Sequence, residues 1–184
     1  MRGFFVCLSK KNTGVHFVDF CFLQVYYTVM EKTNVMRILD KNGIKYEVRV
    51  YDNNLTDGKS VAQACGKDGQ QVFKTLVTVG SDLNHYVFVV PVDESLSLKK
   101  AAKSVGVKSV SMIKQKELLP LTGYIHGGCS PIGMKKQFVT VINDTATLFD
   151  TICFSGGKVG VQIETSPTQL AEYINAKFDD LIEY

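Results

Sequence analysis

Apolar and polar residues change their spacing repeatedly along this chain, and each change marks an element. After Asn34, which can cap a helix, Val35, Ile38 and Leu39 fall on one helical face, and Gly43 supplies a stop. Ile44, Tyr46, Val48 and Val50 then alternate with polar residues, which predicts a half-buried strand ending near Tyr51. A polar loop over 52–60 leads to a short helix over 60–66 with Val61, Ala64 and Cys65 on its apolar side. Residues 72–79 and 86–90 read as strands joined through Gly80-Ser81-Asp82-Leu83-Asn84, a hairpin with a longer loop. The spacing predicts a helix over 96–105, with Leu98, Ala101, Ala102 and Val105 inward and Gly106 as its stop. Val110 and Met112 mark a short strand, and residues 114–119 a helical turn halted by Pro120. Strands are predicted at 138–142, 151–154 and 159–163, the last two joined by Ser155-Gly156-Gly157-Lys158. Ser166-Pro167-Thr168-Gln169 opens a final helix with proline at its first position and capping-box spacing. Leu170, Tyr173, Ile174 and Phe178 are its expected inner face. Hairpins recur and strands do not alternate strictly with helices, so the expected class is α+β with a mostly antiparallel sheet.

The 184 residues, 45% of them hydrophobic, can bury an ordinary core in one domain. Residues 1–29 differ from the rest of the chain. Their apolar runs are too short or too interrupted (His16, Asp19, Gln24) for a signal peptide or a membrane span. Met30-Glu31-Lys32-Thr33-Asn34 resembles a fresh start, so Met30 is the expected initiator, residues 1–29 an extension and 30–184 the domain. An added strand or an amphipathic anchor is the rival reading of 1–29. An intact Met1 species as the main form of the native protein, seen by mass spectrometry, would overturn the first.

The net charge of +3 changes the picture only slightly. Residues 30–184 carry 18 of the 21 basic and 17 of the 18 acidic residues, which argues against coating a nucleic-acid backbone. Contact with one end of a nucleic acid stays open. The five cysteines, Cys7, Cys21, Cys65, Cys129 and Cys153, are scattered with no Cys-x-x-Cys pair, as in a reduced, cytoplasmic protein without a structural metal.

The run from Gly123 to Lys136 puts four glycines and Pro131 into fourteen residues. Such a loop lets backbone amides approach an anion or a developing oxyanion, and it also serves as a plain surface turn. The P-loop spacing is absent. A protein nucleophile is hard to find: no Gly-x-Ser-x-Gly elbow occurs, and a Cys129/His126 dyad is the one arrangement left open. Lys74 lies in an apolar strand, where it either snorkels from an edge or lines a cavity.

Phe73-Lys74-Thr75-Leu76, the segment 98–108, Gly123-Tyr124, Gly127-x-x-x-Pro131 with Ile132-Gly133, and Ser155-Gly156-Gly157-Lys158 occur in one order and register. Together they closely resemble the YbaK/EbsC family of Cys-tRNA(Pro) deacylases, related to the editing domain of bacterial prolyl-tRNA synthetases. The resemblance runs from about Lys32 to the C-terminus, roughly five-sixths of the chain. It implies a compact α+β domain around a curved, mainly antiparallel sheet with flanking helices. It also implies trans-editing, the removal of cysteine misattached to proline tRNA, often beside the synthetase, with no cofactor.

By that resemblance Lys74 faces the bound aminoacyl-adenosine and orients its phosphate or amino group. Backbone groups of Gly127, Gly128, Cys129, Ser130 and Pro131, with Gly123 behind them, hold the ester end. Tyr51, Thr75 and Ser155 match the family's pocket positions. The family's chemistry uses the substrate's own thiolate against its ester carbonyl, so the protein supplies orientation and oxyanion stabilisation. Gln162 stands where some members carry an acid, which removes a general base there. Deacylation of another small amino acid, such as alanine, and a non-catalytic tRNA-end or synthetase-binding module are the alternatives. Lys99, Lys100, Lys103, Lys108, Lys135 and Lys136 are the candidate tRNA contacts, or else ordinary solvated surface.

Overall fold

The computed structural model describes residues 31–55 and 57–183, so the expected extension 1–29 lies outside the described residues. Helix α1 (Asn34–Lys41) is capped by Thr33, whose hydroxyl accepts from Met36 N, so Asn34 is the first helical residue and not the cap. Strand β1 (Glu47–Val50) is shorter than its alternation predicts, and Val50 is exposed because β1 is an outer strand. Helix α2 (Gly58–Ala64) starts at Asp57, whose carboxylate accepts from Ser60 N. Strands β2 (Phe73–Gly80) and β3 (His85–Pro91) form the expected hairpin. Helix α3 (Leu98–Val105), strand β4 (Val110–Met112) and helix α4 (Gln115–Thr122) come next in the chain.

Pro120 does not halt α4; it lies inside it. The proline is exposed, so the carbonyl that loses its partner can turn to water. Thr122 Oγ1 donates to Leu118 O, and Gly123, at φ 87°, ends the helix with its N–H on Leu119 O. Strand β5 (Val139–Asn143), a 3₁₀ turn, β6 (Ile152–Ser155), β7 (Val161–Thr165), helix α5 (Pro167–Ile174) and β8 (Lys177–Asp179) complete the chain. The Ser166 capping box does not form, since its hydroxyl pairs with that of Thr168. Asn175 turns left-handed and ends α5 at Ile174, which puts Phe178 on β8 and not on the helix. Tyr173 is exposed and does not belong to the inner face.

Two sheets replace the single expected one: β1-β7-β6 and β4-β2-β3-β5-β8. Four of the six strand pairings are antiparallel; β5 runs parallel to both β3 and β8. The sheets touch through a parallel bridge between Val72 and Cys153. A shared core joins them, with Phe73, Val87, Val89 and Ile142 from the larger sheet, Phe154, Val161 and Ile163 from the smaller, and Val35, Leu39 and Leu170 from helices. β3 is an unbroken apolar run because it is buried on both faces, Val87 and Val89 toward this core and Phe88 and Val90 toward α3. Beyond β8, Leu181 and Ile182 are buried against α3, so the C-terminal segment is packed onto the domain. Among the described residues no helix is long and apolar enough to cross a membrane.

Candidate active site

Side chains alternate along strands, so register decides which expected site residues meet. Gln162 of β7 lies opposite Ser155 of β6 on one side and Arg49 of β1 on the other. Cys153, two residues before Ser155, bridges Val72, two residues before Lys74. Lys74, Ser155, Gln162 and Arg49 therefore share one face that crosses both sheets. Tyr51 follows Arg49 onto the same side and packs against Val61 and Cys65, with α2 as the cover. Thr75 leaves β2 on the other face, opposite Val89, and is not brought to this row.

Lys74 is half-buried, and its ammonium donates to Glu94 O at 2.6 Å and Val92 O at 3.3 Å. That uses two of its three donors. Burial holds its pKa below the ordinary lysine value, an effect partly offset by Asp93 and Glu94. Ser155 Oγ accepts from Gly157 N at 3.3 Å. Gln162 Oε1 and Thr75 Oγ1 are buried with no hydrogen-bond partner among the described residues. Such orphaned acceptors are rare in folded proteins and mark places where water or a ligand completes the structure.

The glycine loop lies at the β6–β7 turn, the end of the row that Ser155 and Gln162 occupy. Tyr124 OH donates to Ile132 O at 2.6 Å and ties the loop's two ends together, and burial pushes that phenol up to about 12. The loop abuts the β6–β7 turn so closely that a Cβ on Gly128 would lie 3.3 Å from Val159 N. On the other side of that turn, a Cβ on Gly157 would meet Val35 of α1 at 2.9 Å. Gly128 N donates to Ile125 O at 3.0 Å, but the amides of Gly127, Cys129 and Ser130 donate to no described residue. Cys129, Ser130 and Pro131 are buried, so the last two of these amides are donors withdrawn from bulk water.

Burial pushes the Cys129 thiol up to about 12, and its side chain packs into the core while His126 is exposed. The Cys129/His126 dyad is therefore excluded as an activated nucleophile. Ser130 Oγ accepts from Ile132 N at 3.4 Å. Among the described residues no group of three or more His, Cys, Asp or Glu is placed to hold a metal ion.

The sequence reading missed a charged cluster behind the row. Glu164, buried beside Gln162's strand neighbours, takes Arg49 Nε at 2.5 Å on one oxygen and Lys67 Nζ and Thr151 Oγ1, at 2.5 and 2.6 Å, on the other. Burial alone would raise the Glu164 pKa, but these bonds outweigh it and hold the carboxyl below its usual range. The available signal was a charged residue set between apolar strand neighbours, Arg49 between Val48 and Val50. Of the candidate tRNA contacts, Lys99, Lys103, Lys108 and Lys136 are exposed. Lys100, expected to be solvated, is held by Asp180 and by Ile182 O, both at 2.8 Å. Lys135 lies over the end of α4, its ammonium on Leu119 O and Pro120 O at 3.3 and 3.4 Å.

This geometry has counterparts among known proteins. The chain is 42% identical over 154 residues to a protein of Enterococcus faecalis provisionally named the Cys-tRNA(Pro)/Cys-tRNA(Cys) deacylase EbsC, covering 82% of this chain and 93% of that one. Its fold is similar to a structure provisionally described as a trans-editing enzyme for prolyl tRNA synthetase, with a TM-score of 0.75 and 25% identity, covering 84% of this chain and all of the other. It is similar too to the hypothetical protein APE2540, with a TM-score of 0.76 at 22% identity, covering 82% of this chain and 100% of that one. Residues 52–173, which hold Lys74, Ser155 and Gln162 of the row, the glycine loop and the turn against it, match the aminoacyl-tRNA editing domain, and the chain belongs to that family.

Proposed function

We propose that this protein is an aminoacyl-tRNA deacylase that acts in trans, alongside prolyl-tRNA synthetase, to remove cysteine from mischarged Cys-tRNA(Pro). The observation that carries this reading is the set of three amides at Gly127, Cys129 and Ser130 that have no partner among the described residues, on a loop braced against the Ser155–Gln162 turn. An ester carbonyl seated there gains its oxyanion as the reaction proceeds, when such donors act most strongly. The thiols and hydroxyls around the loop are held in structural bonds or kept protonated by burial, so the attacking group comes from the substrate. The substrate thiol loses its proton to solvent, the thiolate forms a bond to the ester carbonyl carbon, the carbon–oxygen bond to the ribose breaks, and the ribose oxygen takes up a proton from solvent. A cyclic thiolactone and free tRNA result. The site's contribution is orientation, worth several orders of magnitude when reacting atoms are held together. Lys74, with one donor left, holds the phosphate or amino group of the terminal aminoacyl-adenosine.

Gln162 favours one second reading. Its oxygen, without a partner among the described residues, can accept a hydrogen bond from an amino acid other than cysteine, so a broader deacylase of small residues such as alanine is the alternative. Release of amino acid from Cys-charged and Ala-charged proline tRNA, with Lys74→Ala alongside, separates the two. Loss of cysteine alone, abolished by Lys74→Ala, is expected. Loss of alanine at a similar rate would establish the broader reading, and saturable binding without release of either would leave a binding module.

A further inference from the structure

The lysines divide into two sets whose surroundings differ. Around α3, residues 93–109 and 177–183 carry five lysines and five acids. Ser97 N on Leu181 O and Glu183 N on Ser95 O, at 2.7 and 3.1 Å, hold these segments side by side, and Lys100 is spent on Asp180. That face is balanced.

The rim of the glycine loop is not. Residues 113–136 and 155–160 carry Lys114, Lys116, Lys135, Lys136 and Lys158 against one acid, Glu117. The Glu117 carboxylate is turned onto the amide of Lys114 at 2.8 Å. Lys116 shares an exposed side of α4 with Leu119 and Pro120, three and four residues on, and Lys135 sits on the carbonyls of those two. Lys136 follows Lys135, and Lys158 belongs to the turn whose backbone lies 3.5 Å from a Cβ placed on Gly128. These lysines are exposed, and none of the five is in an ion pair among the described residues. A one-sign rim at the mouth of a site focuses potential on a polyanion entering it, whereas a balanced face gives none.

We infer that the acceptor arm of the tRNA lies across this rim, with its phosphates on Lys116, Lys136 and Lys158, and not across α3. The inference rests on the reading of the loop as the seat of a tRNA's aminoacyl end. It narrows the contacts expected from sequence, drops Lys99, Lys100, Lys103, Lys108 and Lys135, the last of which has its ammonium on two carbonyls, and adds Lys116 and Lys158.

Binding of uncharged proline tRNA to the full chain, followed across a salt series, tests it. Each phosphate contact removed lowers the slope of log K against log salt by about 1, so Lys116→Ala/Lys136→Ala lowers it by about 2. Lys116→Arg/Lys136→Arg keeps the charges and restores the slope. Lys99→Ala/Lys103→Ala keeps the wild-type slope. A wild-type affinity indifferent to salt, equal losses in both alanine pairs, or a loss confined to the α3 pair overturns the inference. Because this tRNA carries no amino acid, a failure of the deacylase reading shows separately, as intact Cys-tRNA(Pro) beside an unaltered result here.

Discussion

Gly128→Ala tests whether the loop amides act on the ester. A Cβ there would lie 3.3 Å from Val159 N, closer than such contacts normally settle, and at an ordinary contact distance of 3.5 Å from Lys158 Cα. Both neighbours are backbone, so loop and turn must part by a few tenths of an ångström. Overpacking of this kind costs about 1–3 kcal/mol. The turn carries an exposed Lys158 and can yield, which places the cost near the low end, about 1 kcal/mol, or about 2–4 °C in Tm. The catalytic loss is larger in proportion. A well-placed oxyanion donor is worth roughly 10²–10³-fold, and a displaced loop weakens its donors without removing them. The expected fall is about 10- to 100-fold in the single-turnover release of cysteine from Cys-tRNA(Pro). Gly43→Ala is the control. It forces a side chain onto φ 67° with nothing within 4 Å, far along the chain from the loop, at a cost of about 1–2 kcal/mol. It should lower Tm by a similar amount and leave the rate alone. A Gly128→Ala protein that loses Tm but keeps its full rate, or equal rate losses in both variants, would refute the oxyanion role.

On the proposed reading, Lys74→Met removes a charge-assisted bond to substrate and should cost about 1.5–3 kcal/mol, or about 10- to 150-fold in single-turnover rate. Burial lowers the Lys74 pKa, so the wild-type rate should decline with rising pH before the ordinary lysine range, and the variant should lack that limb. Glu164→Gln strands Arg49 and Lys67 opposite a neutral amide and should cost about 3–5 kcal/mol, read from the denaturant midpoint. The Glu164 pKa is lowered on folding, so its stabilisation is present above the ordinary carboxylate range and is lost as pH falls through the folded value. The variant's stability should not show that acid loss.

Local spacing carried most of the elements, because the β2–β3 hairpin, α3 with its Gly106 stop and the β6–β7 turn are each specified by neighbours in sequence. What it could not carry were choices made at a distance. Pro120 reads as a breaker until the exposed side of α4 frees the affected carbonyl. Asn175 ends α5 early so that Phe178 can join β5 as a strand, a parallel pairing with no local signature. In the site, Lys74 and Thr75 are neighbours in sequence and stand on opposite faces, which the strand period alone foretells once β2 is accepted. Glu164 was illegible because its partners Arg49 and Lys67 are 115 and 97 residues away.

On the proposed reading, the position of Gln162 decides where the thiol's proton can go. The residue lies between Arg49 and Ser155 in register, and Glu164 already occupies the Arg49 guanidinium. A carboxylate at 162 would compete for that guanidinium; an amide leaves the Arg49–Glu164 pair intact and keeps its own oxygen without a partner among the described residues. That oxygen can accept a hydrogen bond from the substrate's thiol or ammonium but cannot take a proton. Solvent must then ionise the thiol, and the single-turnover rate should climb tenfold per pH unit on the acid side until the thiol's own pKa is reached. Gln162→Glu supplies a base at that point and should flatten the acid limb while weakening the Arg49–Glu164 pair. Measuring both profiles with Cys-tRNA(Pro) decides it: a wild-type rate independent of pH below the thiol pKa would mean that some protein group takes the proton, and the assignment of the chemistry to the substrate's thiolate alone would fail.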